Sequence, residues 1–149
     1  DNTTIQESIN SFIIPDGRGS IIHNKKYKLI NDTYNASPAS MKFGIERFSK
    51  MKSKNHKILI IGDMLELGKH EIEEHEKLGN LINSKNIDIV LTMGDAMLHL
   101  YNTLNKNYKY KAHFLNIKKL KEEFKSIVKK NDIVFIKGSR KMKLEQVYN

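Results

Sequence analysis

Several strand-like runs in this chain end on side chains able to do chemistry. The stretch Asn31 to Met41, NDTYNASPASM, follows an alternating run and presents a carboxylate, a phenol and an amide (Asp32, Tyr34 and Asn35) just before Ser37-Pro38. Serine is a favoured N-cap and proline suits a first helical turn, so these groups are expected at the carboxyl edge of a strand, where open α/β sheets bind ligands. A plainer reading stays open at this point, in which Asp32 and Asn35 only cap and turn the chain. Three further runs close in a similar way: KILIIGD at Asp63, DIVLTMGD at Asp95 and DIVFIKGS at Ser139. Arginine occurs only at positions 18, 47 and 140. Its fork of donors suits phosphate or carboxylate, which makes Arg18 and Arg140 candidates for an anion, with a surface ion pair as the bland alternative. Arg47, in the middle of a helix on its polar face, reads as ordinary surface.

The elements that must position these residues follow from periodicity. Ile5, Ile9, Phe12 and Ile13 give a short amphipathic helix with Thr4 and Glu7 as a capping box, ended by Pro15. The PDGRG run at 15–19 is turn and hinge chemistry and marks a boundary. SIIH and KYKLIN, joined through Asn24-Lys25, predict a hairpin. From Ser37 the period changes, and Met41, Gly44, Ile45 and Phe48 form one helical face. KILIIG at 57–62 is apolar throughout, as expected of a strand covered on both sides. The unit then recurs: a helix over 71–84 with Ile72, Leu78, Leu81 and Ile82 inward, the strand DIVLTM, a helix from Ala96 to about Leu104, and the strand AHFL after a polar KNYKYK loop. A helix carrying Ile117, Leu120, Phe124, Ile127 and Val128 follows, and then the strand DIVFIK. Strands alternating with helices of this length predict βαβ units, a mostly parallel sheet with right-handed crossovers and a three-layer, Rossmann-like α/β fold with an N-terminal hairpin. In that fold Asp32, Asp63, Asp95 and Ser139 share one edge of the sheet.

Composition limits the function. The chain has 149 residues, 39% of them hydrophobic, which is the size of one domain with a sizeable core. It has no cysteine, no apolar run long enough to cross a bilayer and no basic-then-apolar leader, so a cytoplasmic protein without membrane insertion is expected. The net charge of +9 comes from lysines scattered through nearly every segment, which argues against a nucleic-acid partner.

Three motifs fail on inspection. GDMLELGKH at 62–70 has five residues between its glycines where a P-loop has four, His70 where the magnesium-binding hydroxyl belongs, and acids beside the phosphate position. In HEIEEH, His70 and His75 are five apart and do not share the helical face that a zinc site needs; a surface helix start with acids near its N-terminus explains the segment. Lys137 with Asp63 suggests a receiver domain, but Ile61-Gly62-Asp63 lacks the acidic pair and Leu91-Thr92-Met93 lacks the acceptor aspartate.

What remains is four blocks in fixed order: Gly17-Arg18, NDTYNASPASMK, GDMLELG and KGSRKMKLE. From Gly17 onward the chain resembles the C-terminal domain of the Mur ligases, and residues 1–16 resemble the last helix of that family's central ATPase domain. GDMLELG with KGSR resembles most the member that adds D-alanyl-D-alanine to UDP-N-acetylmuramoyl-tripeptide in peptidoglycan synthesis. The resemblance implies ATP and magnesium (Mg2+), both held mainly by a central domain, an acyl phosphate on the tripeptide, attack by the dipeptide amine, and a monomer with its own N-terminal and central domains as partners. It implies that Arg18 reaches the nucleotide phosphates, that Asp32 binds the ribose, that Tyr34 and Asn35 lie near the nucleotide, and that Lys137, Ser139 and Arg140 lie toward the dipeptide. Asp95 falls where a sister ligase carries a selecting motif. With no P-loop and no lysine placed for carbamylation, the chain is expected to be a fragment unable to turn over ATP alone. A free-standing α/β nucleotide-binding or receiver-like module is the alternative, and a P-loop domain encoded directly upstream would decide between them.

Overall fold

The computed structural model describes residues 17–149. The helix expected near Thr4 to Phe12, and the assignment of residues 1–16 to a preceding domain, lie outside the described residues. Strands β1 (Ser20–His23) and β2 (Tyr27–Asp32) form the expected antiparallel hairpin. Its turn is set by Asn24, whose Oδ1 accepts hydrogen bonds from the Lys26 and Tyr27 backbone amides at 2.8 Å each. Helix α1 (Pro38–Lys50) starts at Ser37, which accepts from the Ser40 amide while the Ser40 hydroxyl accepts from the Ser37 amide, a capping box with serine in the usual Glu position.

Strands β3 (Lys57–Gly62), β4 (Ile89–Met93), β5 (Tyr110–Phe114) and β6 (Asp132–Lys137) complete a sheet of order β1-β2-β6-β3-β4-β5, parallel in every pairing but the first. Alternation along the strands divides the core between two faces. Leu59, Ile61, Ile133 and Phe135 pack under α1, α2 (Glu71–Asn83) and α3 (Met97–Thr103). Ile58, Ile60, Val134 and Ile136 pack under α4 (Ile117–Ile127) and the C-terminal 310 turn Leu144–Val147. Both faces are covered, which is why β3, β4 and β6 are buried along their whole length.

Connectivity decides where a site can form. The crossovers through α1, α2 and α3 all advance from the β1 edge toward β5 over one face, and the crossover through α4 returns over the other to insert β6 between β2 and β3. Right-handed crossovers require that change of face with the change of direction. The chain therefore leaves β2 toward one face and β6 toward the other, and a crevice opens where their carboxyl ends part.

Two local expectations are corrected. Ile72 is half exposed, and His75 takes the buried place ahead of Leu78 and Ile82. Strand β5 begins at Tyr110, inside the polar KNYKYK run, and leaves Leu115 outside; as an edge strand it is held by backbone pairing to β4 and needs little apolar alternation. Of the lysines scattered along the chain, Lys25, Lys26, Lys28, Lys52 and Lys54 line one shallow depression at the amino end of the strands. Among the described residues no helix is long and apolar enough to cross a membrane.

Candidate functional site

The crevice between β2 and β6 is a cleft of about 620 Å³. Its walls are Gly17 from the hinge, Asn31 through Asn35 without Asp32 from the end of β2 and the turn after it, Ser139, Arg140, Lys141, Lys143 and Glu145 from the segment after β6, and Leu65 and Glu66 from the loop after β3. Asp32 points to the other side and lines a groove of about 320 Å³ with Arg18, Phe43, Arg47 and Lys137. Arg47 is exposed as expected, but it lines this groove, its guanidinium 5.5 Å from the Phe43 ring.

Parallel register puts Asp32 directly beside Lys137. The Lys137 ammonium donates to Asp32 Oδ2 at 2.8 Å and to the Asn35 carbonyl at 3.0 Å. The lysine side chain is 4% exposed and the carboxylate 25%. Asp32 is therefore held from behind and open in front.

Tyr34 is the other organising side chain. The Arg18 guanidinium lies 3.8 Å from the Tyr34 ring centroid and that of Arg140 lies 5.2 Å from it. The Tyr34 amide donates to the Gly17 carbonyl at 2.8 Å, fixing the hinge against the turn. Among the described residues neither arginine has a carboxylate within ion-pairing distance, so each keeps donors for an anion, Arg18 on the groove and Arg140 on the cleft, with Tyr34 against both. Ser139 is buried; its amide donates to the Asp63 carbonyl at 3.1 Å and its Oγ accepts from the Leu65 amide at 3.0 Å. Gly138 allows this closeness, since a Cβ there would lie 3.1 Å from the Gly62 Cα and 2.6 Å from Leu144.

Asp63 and Asp95 lie on the same sheet edge but line neither cavity. Asp63 is 7% exposed and accepts from the Met97 amide at 2.8 Å and the Ala96 amide at 3.3 Å, capping α3. Burial pushes its carboxyl above the ordinary 3.8, the Met97 and Ala96 amides and His75 pull it back, and Asp95 adds to the rise. Asp95 is exposed on the loop after β4.

The sequence reading did not assign a role to His75, which is fully buried. Its Nε2 accepts from the Met64 amide at 3.2 Å and its Nδ1 lies 2.7 Å from the Glu71 carbonyl, to which it donates in that tautomer. It pins the loop that supplies Leu65 and Glu66 to the cleft. The available signal was its place on the Leu78 and Ile82 stripe, at i−3 and i−7. Lys141 and Lys143 were also passed over, as the tail of a motif whose chemistry was placed in Ser139 and Arg140.

A mostly parallel α/β sheet with a crevice at its topological switch point has the architecture in which open α/β domains hold their ligands. The chain belongs to the Mur ligase family: the model described as Mur ligase, glutamate ligase domain, matches residues 17–140. It is 38% identical over 130 residues to the UDP-N-acetylmuramoyl-tripeptide--D-alanyl-D-alanine ligase of Buchnera aphidicola, covering 86% of this chain and 27% of the relative. It is 36% identical to the Bacillus subtilis enzyme of the same name, covering 80% and 26%. The chain thus spans little more than a quarter of the length of these curated relatives. The crystal structure of MurF ligase from Thermotoga maritima in complex with ADP superposes with a TM-score of 0.76 at 26% identity, covering 97% of this chain and 34% of that one.

Proposed function

We propose that this chain is the C-terminal domain of a longer, cytoplasmic, monomeric ligase that joins D-alanyl-D-alanine to UDP-N-acetylmuramoyl-tripeptide in peptidoglycan synthesis, with ATP as co-substrate, and that residues 1–16 close its central domain. The observation that carries the reading is the placement of Arg18 and Asp32 on one side of the switch point and of Tyr34 and Arg140 on the other, with Arg18 and Arg140 both against the Tyr34 ring. The relatives named for this reaction and the ADP-bound structural neighbour support it.

In this reading the tripeptide carboxylate takes the γ-phosphoryl group of ATP and ADP leaves. The dipeptide amine attacks the acyl phosphate carbonyl, and the tetrahedral intermediate collapses to the amide and inorganic phosphate. This domain supplies charge and position. Arg18 meets the nucleotide phosphates, where a guanidinium without a carboxylate partner gains most. Asp32 accepts from the vicinal ribose hydroxyls, which need an acceptor-only group, and Tyr34 and Asn35 border the nucleotide. Arg140 and the Ser139 hydroxyl, whose hydrogen is left to donate, grip the carboxylate of the dipeptide. Asp95 lies outside both cavities and takes no part in this reading.

Magnesium accompanies ATP in such chemistry, but the described residues contain no cluster of three His, Asp or Glu side chains that could hold a metal ion. Its ligands are assigned to the preceding domain, and no step here runs through it. The test is phosphate release by the full-length protein. It should require UDP-N-acetylmuramoyl-tripeptide and D-alanyl-D-alanine together, and release with either alone at the same rate would reject the assignment.

A further inference from the structure

Lys137 carries one of the few charges placed in the interior; it borders the same groove as Asp32, and its ammonium is taken up by two protein oxygens. It closes β6 in register with Asp32, is 3% exposed, and directs its ammonium to Asp32 Oδ2 at 2.8 Å and the Asn35 carbonyl at 3.0 Å. It does not line the 620 Å³ cleft on whose rim Ser139 and Arg140 sit. Its stem runs beneath α1 at Gly44, where an added Cβ would lie 3.7 Å from the lysine Cδ and 2.7 Å from the Phe135 ring, so the chain cannot swing out on that side without displacing the helix.

A buried ion pair is weak evidence for stability, because desolvating both charges offsets most of their attraction. What such a pair fixes is geometry. Here one ammonium holds one carboxylate oxygen and the backbone carbonyl three residues later, so it sets both the Asp32 rotamer and the shape of the Asp32 to Asn35 turn. Asp32 Oδ1 accepts nothing from the described residues.

We infer that Lys137 is a positioning residue acting through Asp32: it holds Oδ2 from behind so that Oδ1 faces the hydroxyls of the nucleotide, and it does not itself contact the dipeptide. The inference rests on the proposed nucleotide role of Asp32.

A double-mutant cycle on the full-length enzyme tests it, with ADP affinity by calorimetry, the D-alanyl-D-alanine KM from phosphate release, and thermal melts to show folding. Asp32→Asn and Lys137→Met should each weaken ADP about tenfold, and the double variant should be no weaker than the worse single. The dipeptide KM should stay within about twofold for Lys137→Met. Lys137→Arg keeps the charge in a bulkier head, so it should fall between wild type and Lys137→Met for ADP, again without moving the dipeptide KM; it serves if Lys137→Met does not fold. A raised dipeptide KM with ADP affinity unchanged in either Lys137 variant, or two losses that multiply in the double, overturns the inference. If Asp32→Asn binds ADP like wild type, the nucleotide reading fails and takes the inference with it. A weakened Asp32→Asn beside an unaffected Lys137→Met overturns the inference alone.

Discussion

Asp32 and Asp63 both stand at the carboxyl end of a parallel strand, and their surroundings are opposite. Asp32 keeps a quarter of its side chain exposed, has a lysine behind it and faces a groove. Asp63 is covered by the loop after β4 and gives both carboxylate oxygens to the amide groups that start α3. The connections after β3 and β4 leave toward the same face, so their loops pack on one another and leave no opening. The connections after β2 and β6 leave toward opposite faces, so a crevice stays between them. A carboxylate at a strand end therefore becomes available to a ligand because of where the chain goes next, and not because of its residue type alone.

Substitutions can break each half of this contrast. The largest effect is expected at Gly94, which has φ of +117° and sits where a Cβ would lie 2.4 Å from the Asp63 carboxylate. Gly94→Ala combines backbone strain with a clash against a carboxylate fixed by two hydrogen bonds, so a loss of about 3 kcal/mol or more is expected in denaturant melts. A variant as stable as wild type would show that the loop is not closed over Asp63. Asp63→Ala leaves the Ala96 and Met97 amides without their acceptor, and about 2 to 3 kcal/mol of stability should go with it. Calorimetry on the same variant should find ADP bound as in wild type, because the residue touches neither cavity.

Arg18→Ala should do the reverse. ADP affinity should fall about tenfold, equivalent to about 1.4 kcal/mol, and the loss should shrink as salt rises, while the melting temperature hardly moves. Unchanged ADP binding would return Arg18 to the role of a surface charge stacked on Tyr34.

The smallest effect concerns pH at the closed end of the sheet. Burial holds the His113 imidazole below its usual 6.5, with Asp63 and Asp95 pulling the other way. Its Nδ1 is 2.8 Å from the Thr92 hydroxyl, and its buried Nε2 has no partner among the described residues. The unfolded chain takes up this proton more readily than the folded one, so the contribution is fully present above 6.5 and is lost as pH falls from there through the depressed folded value. Melting temperature should decline as pH falls below about 6.5, and His113→Gln should flatten the decline. Equal slopes would remove His113 from the account.

The fold was legible wherever one physical signal dominated. The apolar runs at 57–62, 89–93 and 132–137 could only be strands covered on both sides, and Ser37-Pro38 announced its helix. Strand β5 was less legible because an edge strand can be polar, and His75 was missed because a polar residue type outweighed its place on the apolar stripe, its backbone partners being invisible in sequence. For the site, the sequence placed Asp32, Asp63, Asp95 and Ser139 on one edge. Periodicity could not rank them, since the ranking depends on strand order and nothing local in DIVFIK says that β6 inserts between β2 and β3; the family resemblance alone singled out Asp32. The pairing of Lys137 with Asp32 is hidden for the same reason, because 105 residues separate them.

The central claim is that the acid at the open end of the sheet serves a ligand and the acid at the closed end serves the fold. Titrating ADP into full-length Asp32→Asn and Asp63→Asn side by side tests it most directly. The account expects about tenfold weaker binding for Asp32→Asn and binding within about twofold of wild type for Asp63→Asn. Equal losses in both, or a loss confined to Asp63→Asn, would contradict it.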